Sequence, residues 1–180
     1  HKLLDTGKVW YTVQIGEFGD VIPENMTIDY DNPYNANDTI YYKIGSIILR
    51  EDTIEKKVYS RFFSNWDEPS GPEELLYNFS LEAGDSVCLE EYPNCWYYVD
   101  SVKHIEIFET FRKILYLRSK ENVGGYYFYP VWVEGIGSLA GVHIPGSEPQ
   151  IFIWGVGELT CCYLKNNLIY QSDNGAQWGC

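Results

Sequence analysis

Short runs in which apolar and polar residues alternate are the feature that most limits how this chain can fold. From Val9 to Ile15 the odd positions are apolar, whereas Thr12 and Gln14 are polar. A period of two predicts a strand with one wet face. No stretch of twelve residues has the 3.6-residue period of an amphipathic helix. We predict further strands at Thr39–Ile44, Ser46–Arg50, Lys57–Phe63, Leu75–Ser80, Ser86–Leu89, Trp96–Val102, Ile105–Phe108, Arg112–Leu117, Tyr126–Val133, Gln150–Trp154, Leu159–Leu164 and Leu168–Tyr170.

The segments between these runs have the chemistry of turns. Asn tolerates positive φ, so Asn166-Asn167 predicts a two-residue type I′ hairpin. Gly71–Glu74 forms at most one turn of helix, and the longest irregular segments are Gly16–Asp38 and Gly141–Pro149. About a dozen short strands with tight turns predict an all-β fold, an antiparallel β-barrel or β-sandwich with little or no helix. We expect residues 1–180 to form a single β-rich domain.

Charge and hydropathy narrow the classes of partner. The 26 acidic and 13 basic residues give a formal net charge of −13, which repels nucleic acid and anionic membrane surfaces. No apolar run approaches the ~20 residues of a membrane-spanning helix. The chain starts at His1 without a basic and then apolar leader, so we interpret it as the mature part of an exported protein.

Five cysteines stand at positions 88, 95, 161, 162 and 180. Cys88 and Cys95 flank a Pro-Asn turn, which predicts a disulfide across a hairpin. Cys161 and Cys162 are neighbours on a predicted strand, so they face opposite sides and only one can reach Cys180. The sequence has no Cys-x-x-Cys pair and its histidines are scattered, which disfavours a metal site. Disulfides indicate an oxidising compartment.

A glycine-rich run around Ser138 invites comparison with a serine hydrolase. The nucleophile elbow requires glycine two residues before and two after the serine, but Ile136 and Ala140 occupy those positions. We therefore expect Gly135 and its neighbours to form a bend, with Glu134 partly buried and bonded to backbone N–H groups. We predict no catalytic residues and no cofactor, although an unrecognised hydrolase is a distant alternative.

Two other patterns resemble ligand sites. The oxygen-rich segment Asp29–Asp38 could attract Ca²⁺, but it lacks the glycine and closing glutamate of an EF-hand. An Asx-rich turn is the preferred interpretation. Aromatic residues make up 17% of the chain, and most should be core. Some could form a sugar-stacking platform or line an apolar pocket; the candidates are Trp10, Trp66, Tyr92, Trp96, Trp132, Trp154 and Trp178.

Several stretches, in this order, resemble an uncharacterised β-rich domain of secreted Bacteroides-group proteins. Members often carry a type IX secretion sorting tail, which this sequence does not contain. The resemblance covers roughly Thr39 to Cys180. The matching stretches are Leu49-Arg50-Glu51-Asp52, Lys57-Val58-Tyr59, Glu74–Leu81, Gly84-Asp85, Val99-Asp100-Ser101-Val102, Arg112-Lys113, Trp132–Ser138 and Cys162-Tyr163 with a distal Cys180.

The resemblance implies a secreted protein and brings no activity with it. The family has one cysteine before an aromatic residue near its C-terminus, which matches Cys162 before Tyr163 and selects Cys162 as the partner of Cys180. We therefore predict an extracytoplasmic, non-catalytic module that binds a glycan, a peptide or a lipid. A structural or accessory domain that acts through protein contacts is the alternative.

Overall fold

The computed structural model of the chain describes residues 1–15, 21–36, 38–45, 47–65, 68–89, 96–121, 127–142, 145–146, 157–173 and 175. Within these ranges the fourteen elements are all strands. They are β1 Lys8–Ile15, β2 Val21–Thr27, β3 Asp29–Ala36, β4 Thr39–Ile44, β5 Ile47–Asp52, β6 Lys57–Asn65, β7 Glu68–Asn78, β8 Ser86–Cys88, β9 Trp96–Ile107, β10 Thr110–Ser119, β11 Val131–Val133, β12 Gly137–Ser138, β13 Gly157–Leu164 and β14 Asn167–Gln171.

The strands form three antiparallel sheets. Their orders are β14-β13-β1-β2, β12-β11-β10-β9-β8 and β3-β4-β5-β6-β7. Most neighbours in space are also neighbours in sequence, as short turns require. The exception is the pair of β1 with β13, which joins the two ends of the chain. The prediction of an antiparallel all-β fold is confirmed.

One hydrophobic cluster draws side chains from all three sheets. Trp10 and Trp132 are fully buried within it, and each has a hydrogen-bond partner for its indole N–H. Trp10 donates to the carbonyl of Ile136, and Trp132 donates to that of Pro145, both at 2.7 Å. These satisfied donors make the two tryptophans stable core residues.

The segment Gly16–Asp38, which we expected to be irregular, contains β2 and β3. The sequence signal is weak because Pro23 and Pro33 interrupt it and polar residues dominate. Both strands lie at the edges of their sheets, where a proline that cannot donate to a ladder is tolerated. β2 and β3 form because they pair with β1 and β4, since their own residues do not favour a strand.

Other boundaries also differ from the predictions. Gly71–Glu74 belongs to β7 and not to a helical turn; Gly71 has a φ of 80° and irregular pairing allows the bend. The type I′ hairpin turn lies one residue earlier than predicted, at Lys165 and Asn166, with φ values of 50° and 66°. The two strands predicted between 96 and 108 are one continuous strand, β9. Gln150–Trp154 lies outside the described residues.

Residues 1–4 are held against the sheets by charged side chains. The carboxylate of Glu51 accepts hydrogen bonds from the backbone N–H groups of Leu3 and Leu4, at 2.7 and 2.9 Å. The ammonium group of Lys8 donates to the carbonyls of Lys2, Leu3 and Gly135. Leu3 is thereby fully buried in the core. Ionic groups thus satisfy backbone that has no strand partner.

Candidate functional site

Four aromatic rings stand exposed on one region of the sheet that contains β9 and β10. The exposed fractions are 48% for Trp96, 37% for Tyr98, 42% for Tyr127 and 49% for Tyr129. We call these four residues the ring platform. Large rings are normally the residues that a sheet buries, so a group of exposed rings is the informative departure from an ordinary surface.

Alternation along β9 brings two of the rings to the outer face. Tyr97 and Val99 are buried, whereas Trp96, Tyr98 and Asp100 between them are exposed. Successive side chains of a strand point to opposite faces. The outer face of β9 therefore presents two rings followed by a carboxylate.

The pairing of β10 places the other two rings beside this row. Arg118 is paired with Tyr98 of β9. On its other side, the N–H groups of Leu117 and Ser119 donate to the carbonyls of Pro130 and Phe128, at 2.9 and 2.8 Å. This register sets Tyr129 opposite Arg118. From β9 across β10 to the segment 127–130 the distance is about 10 Å, which is two strand spacings.

Arg118 occupies the centre of the platform. Its guanidinium carbon lies 5.9 Å from the ring centre of Tyr98 and 5.8 Å from that of Tyr127. Its Nε donates to the carboxylate of Asp100 at 3.0 Å, and this bond raises the pKa of Arg118. The guanidinium therefore stays charged and is held in place by two rings and one carboxylate.

Trp96 is one of the predicted sugar-stacking candidates, whereas the local sequence did not point to Tyr98, Arg118, Tyr127 and Tyr129. A usable signal was present, because Asp100 marks the wet face of β9 and Trp96 and Tyr98 share its parity. Of the other aromatic candidates, Trp10 and Trp132 are core residues. Trp66, Tyr92, Trp154 and Trp178 lie outside the described residues.

Cys162 is a buried free thiol, so the predicted bond between Cys162 and Cys180 is wrong. The register of β13 gives the reason. Cys162 lies opposite Trp10 and belongs to the hydrophobic cluster, whereas Cys161 lies opposite Tyr11 on the other face. Burial raises the pKa of Cys162 to about 12, which keeps the thiol protonated and unreactive.

The other described cysteines, Cys88 and Cys161, are not free thiols. Cys95 and Cys180 lie outside the described residues. The predicted pairing of Cys88 with Cys95 therefore stays a prediction. Cys88 lies opposite Trp96 in the pairing of β8 with β9, so it borders the ring platform.

The glycine-rich run around Ser138 is buried structure. Ser138 has no exposed surface, and its Oγ accepts a hydrogen bond from the backbone N–H of Ala140 at 3.2 Å. Gly135 and Gly137 have φ values of 76° and 103°, which only glycine adopts readily. Glu134 is 8% exposed, as predicted, but its carboxylate contacts the Nζ of Lys56 at 3.1 Å and not backbone N–H groups.

The oxygen-rich segment forms the Asx turn that we preferred. One carboxylate oxygen of Asp29 accepts hydrogen bonds from the backbone N–H groups of Asp31 and Asn32, both at 3.1 Å. The side chain of Asn32 also donates to this carboxylate, and these bonds lower the pKa of Asp29. Among the described residues, no group of three or more side chains is arranged to hold a metal ion.

Two clefts lie elsewhere on the molecule. One of about 200 Å³ is lined mainly by charged side chains, including Glu51, Lys56 and Glu134. A more open one of about 470 Å³ lies between residues 6–9 and 27–31. Neither is lined by a residue of the ring platform. The exposed aromatic surface of the platform is therefore separate from these two clefts.

No protein-family model, curated protein or solved structure matches the chain. In the part of the chain that the structure describes, no helix is long and apolar enough to cross a membrane. The chemistry of the ring platform is thus the basis for a functional proposal.

Proposed function

We propose that this protein is an exported, non-catalytic binding module that holds its ligand on the ring platform. The observation that carries the proposal is the set of four exposed rings around Arg118 and Asp100 on one sheet face. Tyr, Trp and Arg are the residues that contribute most binding energy in recognition surfaces. Leaving such rings in water costs stability that burial would have supplied, so a role in binding explains them better than packing does.

The described reactive groups support a module without catalysis. Ser138 is buried and used in a backbone contact, and Cys162 is kept protonated by burial. Both groups are buried, whereas covalent catalysis requires a nucleophile that a substrate can reach. The platform itself offers rings, a guanidinium and one carboxylate, which suit recognition.

An exported location is part of the same proposal. Cys88 and Cys161 are not free thiols, and disulfides persist in oxidising compartments. We propose the pairs Cys88–Cys95 and Cys161–Cys180. Membership of the β-rich domain of secreted Bacteroides-group proteins is also a proposal, supported by the ordered matches from Thr39 to Cys180.

A second candidate function is protein interaction through the tip of the β9–β10 hairpin. Ile105, Phe108 and Phe111 are exposed there, with Phe111 at 67%. Phe108 and Glu109 have φ values of 46° and 60° in the turn, where Asn and Gly are the favoured residues. An exposed ring in a strained turn favours a contact with another protein.

One experiment separates the two surfaces. The double variants Trp96→Ala/Tyr129→Ala and Phe108→Ala/Phe111→Ala are compared with the wild type for binding to soluble polysaccharides, a random peptide library and phospholipid vesicles. Loss of binding in the platform variant alone supports the proposal. Loss in the hairpin variant alone supports the alternative, and no binding by the wild type to any class overturns the module proposal. Circular dichroism confirms that both variants are folded.

A further inference from the structure

We infer that the ligand of the ring platform is a neutral polysaccharide, with sugar rings stacked on the aromatic side chains and hydroxyl groups bound by Arg118 and Asp100. This inference rests on the proposed function, because it names the ligand class of the same site.

The rings are spaced for a ligand that crosses the strands. Tyr98 on β9 and Tyr129 beside β10 are two strand spacings apart, about 10 Å. The centres of consecutive hexopyranose units lie closer together than this, so the two aromatic rings suit alternate units of one sugar chain, with the unit between them over Arg118. The apolar C–H face of a sugar unit can lie on an aromatic ring while its hydroxyl groups project sideways. Both the apolar and the polar groups of the sugar then contact the platform.

The centre of the platform contains side-chain nitrogens that make no hydrogen bond to the described residues. Arg118 uses its Nε for Asp100, and its two terminal nitrogens make no other hydrogen bond to the described residues. The side chains of Arg118 and Asp100 are 36% and 42% exposed, so these groups face solvent. A planar guanidinium and a carboxylate can bind neighbouring hydroxyl groups in a bidentate manner.

Charge favours a neutral ligand. The carboxylate of Asp100 already balances Arg118, so this ion pair has no net charge to offer to an ion. The whole chain carries −13, a field that repels uronic-acid and sulfated polysaccharides. A neutral glycan needs no opposite charge at the platform and is not repelled by the net charge of the chain.

The shape of the platform disfavours the two other ligand classes. Acyl chains are bound in concave apolar sites, whereas these rings lie on a sheet face with the polar side chains of Arg118 and Asp100 among them. Extended peptides most often add to a free sheet edge, whereas Tyr98 and Arg118 lie on β9 and β10, which are paired on both sides. A sheet face with both aromatic and polar side chains suits a sugar chain.

Affinity electrophoresis in gels that contain hydroxyethylcellulose, xylan, galactomannan or soluble starch tests the inference, with polygalacturonate as the anionic comparison. We expect at least one neutral polysaccharide to retard the wild type and polygalacturonate not to. Trp96→Ala and Arg118→Met should each weaken that binding at least about tenfold. Phe111→Ala, which removes an exposed ring outside the platform, should leave it unchanged.

The outcomes distinguish the inference from the module proposal. Platform-dependent binding of peptides, vesicles or polygalacturonate without binding of any neutral polysaccharide overturns the inference and leaves the module. Retardation by a neutral polysaccharide that all three variants retain overturns the site as well. Arg118→Lys adds a further check, because it keeps the charge but loses the planar fork and should not restore full affinity.

Discussion

The ammonium group of Lys8 lies in the protein interior, where it takes the place of water for three backbone carbonyls. It donates to Leu3 and Gly135 at 2.9 and 2.7 Å and also to Lys2. Burial lowers the pKa of Lys8 to about 8, and the nearby carboxylates of Asp5 and Glu51 only partly offset this effect. A single side chain thus joins the N-terminal residues to the bend at Gly135.

Replacing Lys8 by Met should reduce the free energy of unfolding by about 3 kcal/mol, because buried carbonyls lose their donor. Urea unfolding at pH 7 measures the change. Lys2→Met is the matched control, since the Lys2 side chain is exposed, and it should stay within about 0.5 kcal/mol of the wild type. Equal effects of the two substitutions would contradict this role of Lys8.

The same pair of proteins reports the titration of Lys8. Its pKa is lower in the folded state, so between about pH 8 and the unfolded value of 10.5 the unfolded chain binds more protons. Stability from this group therefore rises with pH in that window. The difference in unfolding free energy between the wild type and Lys8→Met should grow from pH 8 to pH 10.

Gly135 is required both for its backbone and for its lack of a side chain. Its φ is 76°, and a Cβ there would lie 2.7 Å from the Cβ of His1 and 2.8 Å from the Nη1 of Arg112. We expect Gly135→Ala to cost about 3 kcal/mol or more, of which the positive φ accounts for about 1–2. Gly71→Ala isolates the φ cost, because Gly71 has a φ of 80° and open space around it. Equal losses in thermal unfolding would show that the close contacts do not matter.

At the scale of the strand, one residue of register decides which cysteine is in the core. The sequence argument that only Cys161 or Cys162 can reach the tail rests on strand alternation, and alternation holds. The face could not be read from the sequence, because β13 is buried on both sides from Gly157 to Cys162. The partners Trp10 and Tyr11, 150 residues away in sequence, fix it.

Alkylation tests the assignment. With iodoacetamide and no reductant, the native protein should take up no label, and the unfolded protein should be labelled at Cys162 alone. Cys161→Ser should release one further thiol, identified by peptide mass spectrometry as Cys180. Cys162→Ser should remove labelling of the unfolded chain. Labelling of Cys161 in the unfolded wild type would contradict the proposed pair.

The existence of most strands was predictable, but the edge strands were not, and neither was the buried face of β1, because Thr12, predicted to lie on the wet face, is 4% exposed. β4 has the predicted bounds, Thr39–Ile44, although its burial does not alternate strictly. β2 and β3 carry prolines and many polar residues, and they exist through pairing with β1 and β4. The ring platform was missed for a related reason: it joins β9, β10 and residues 127–129, and no local pattern shows that these chains are adjacent.

At the scale of the whole molecule, the excess of acids sets a repulsive background. The thirteen basic residues could neutralise at most half of the 26 acids. Described ion pairs such as Lys113–Glu82 and Lys56–Glu134 are local, and pairs of this partly exposed kind contribute little. Repulsion among the remaining carboxylates should therefore outweigh the attraction lost when salt screens the pairs.

Thermal stability at pH 7 should consequently rise with ionic strength. From 0.01 to 0.1 M salt the screening length falls from about 30 to about 10 Å, which reduces long-range repulsion first. We expect the melting temperature to increase by roughly 2–4 °C, the equivalent of about 1 kcal/mol at this chain length.

The variant Glu106→Lys/Glu121→Lys changes two exposed acids and brings the formal net charge from −13 to about −9, since each exchange adds two positive charges. It should be more stable than the wild type at low salt and respond less to added salt. A melting temperature that falls with salt in both proteins would mean that the local ion pairs, and not the net charge, dominate the electrostatics of the fold.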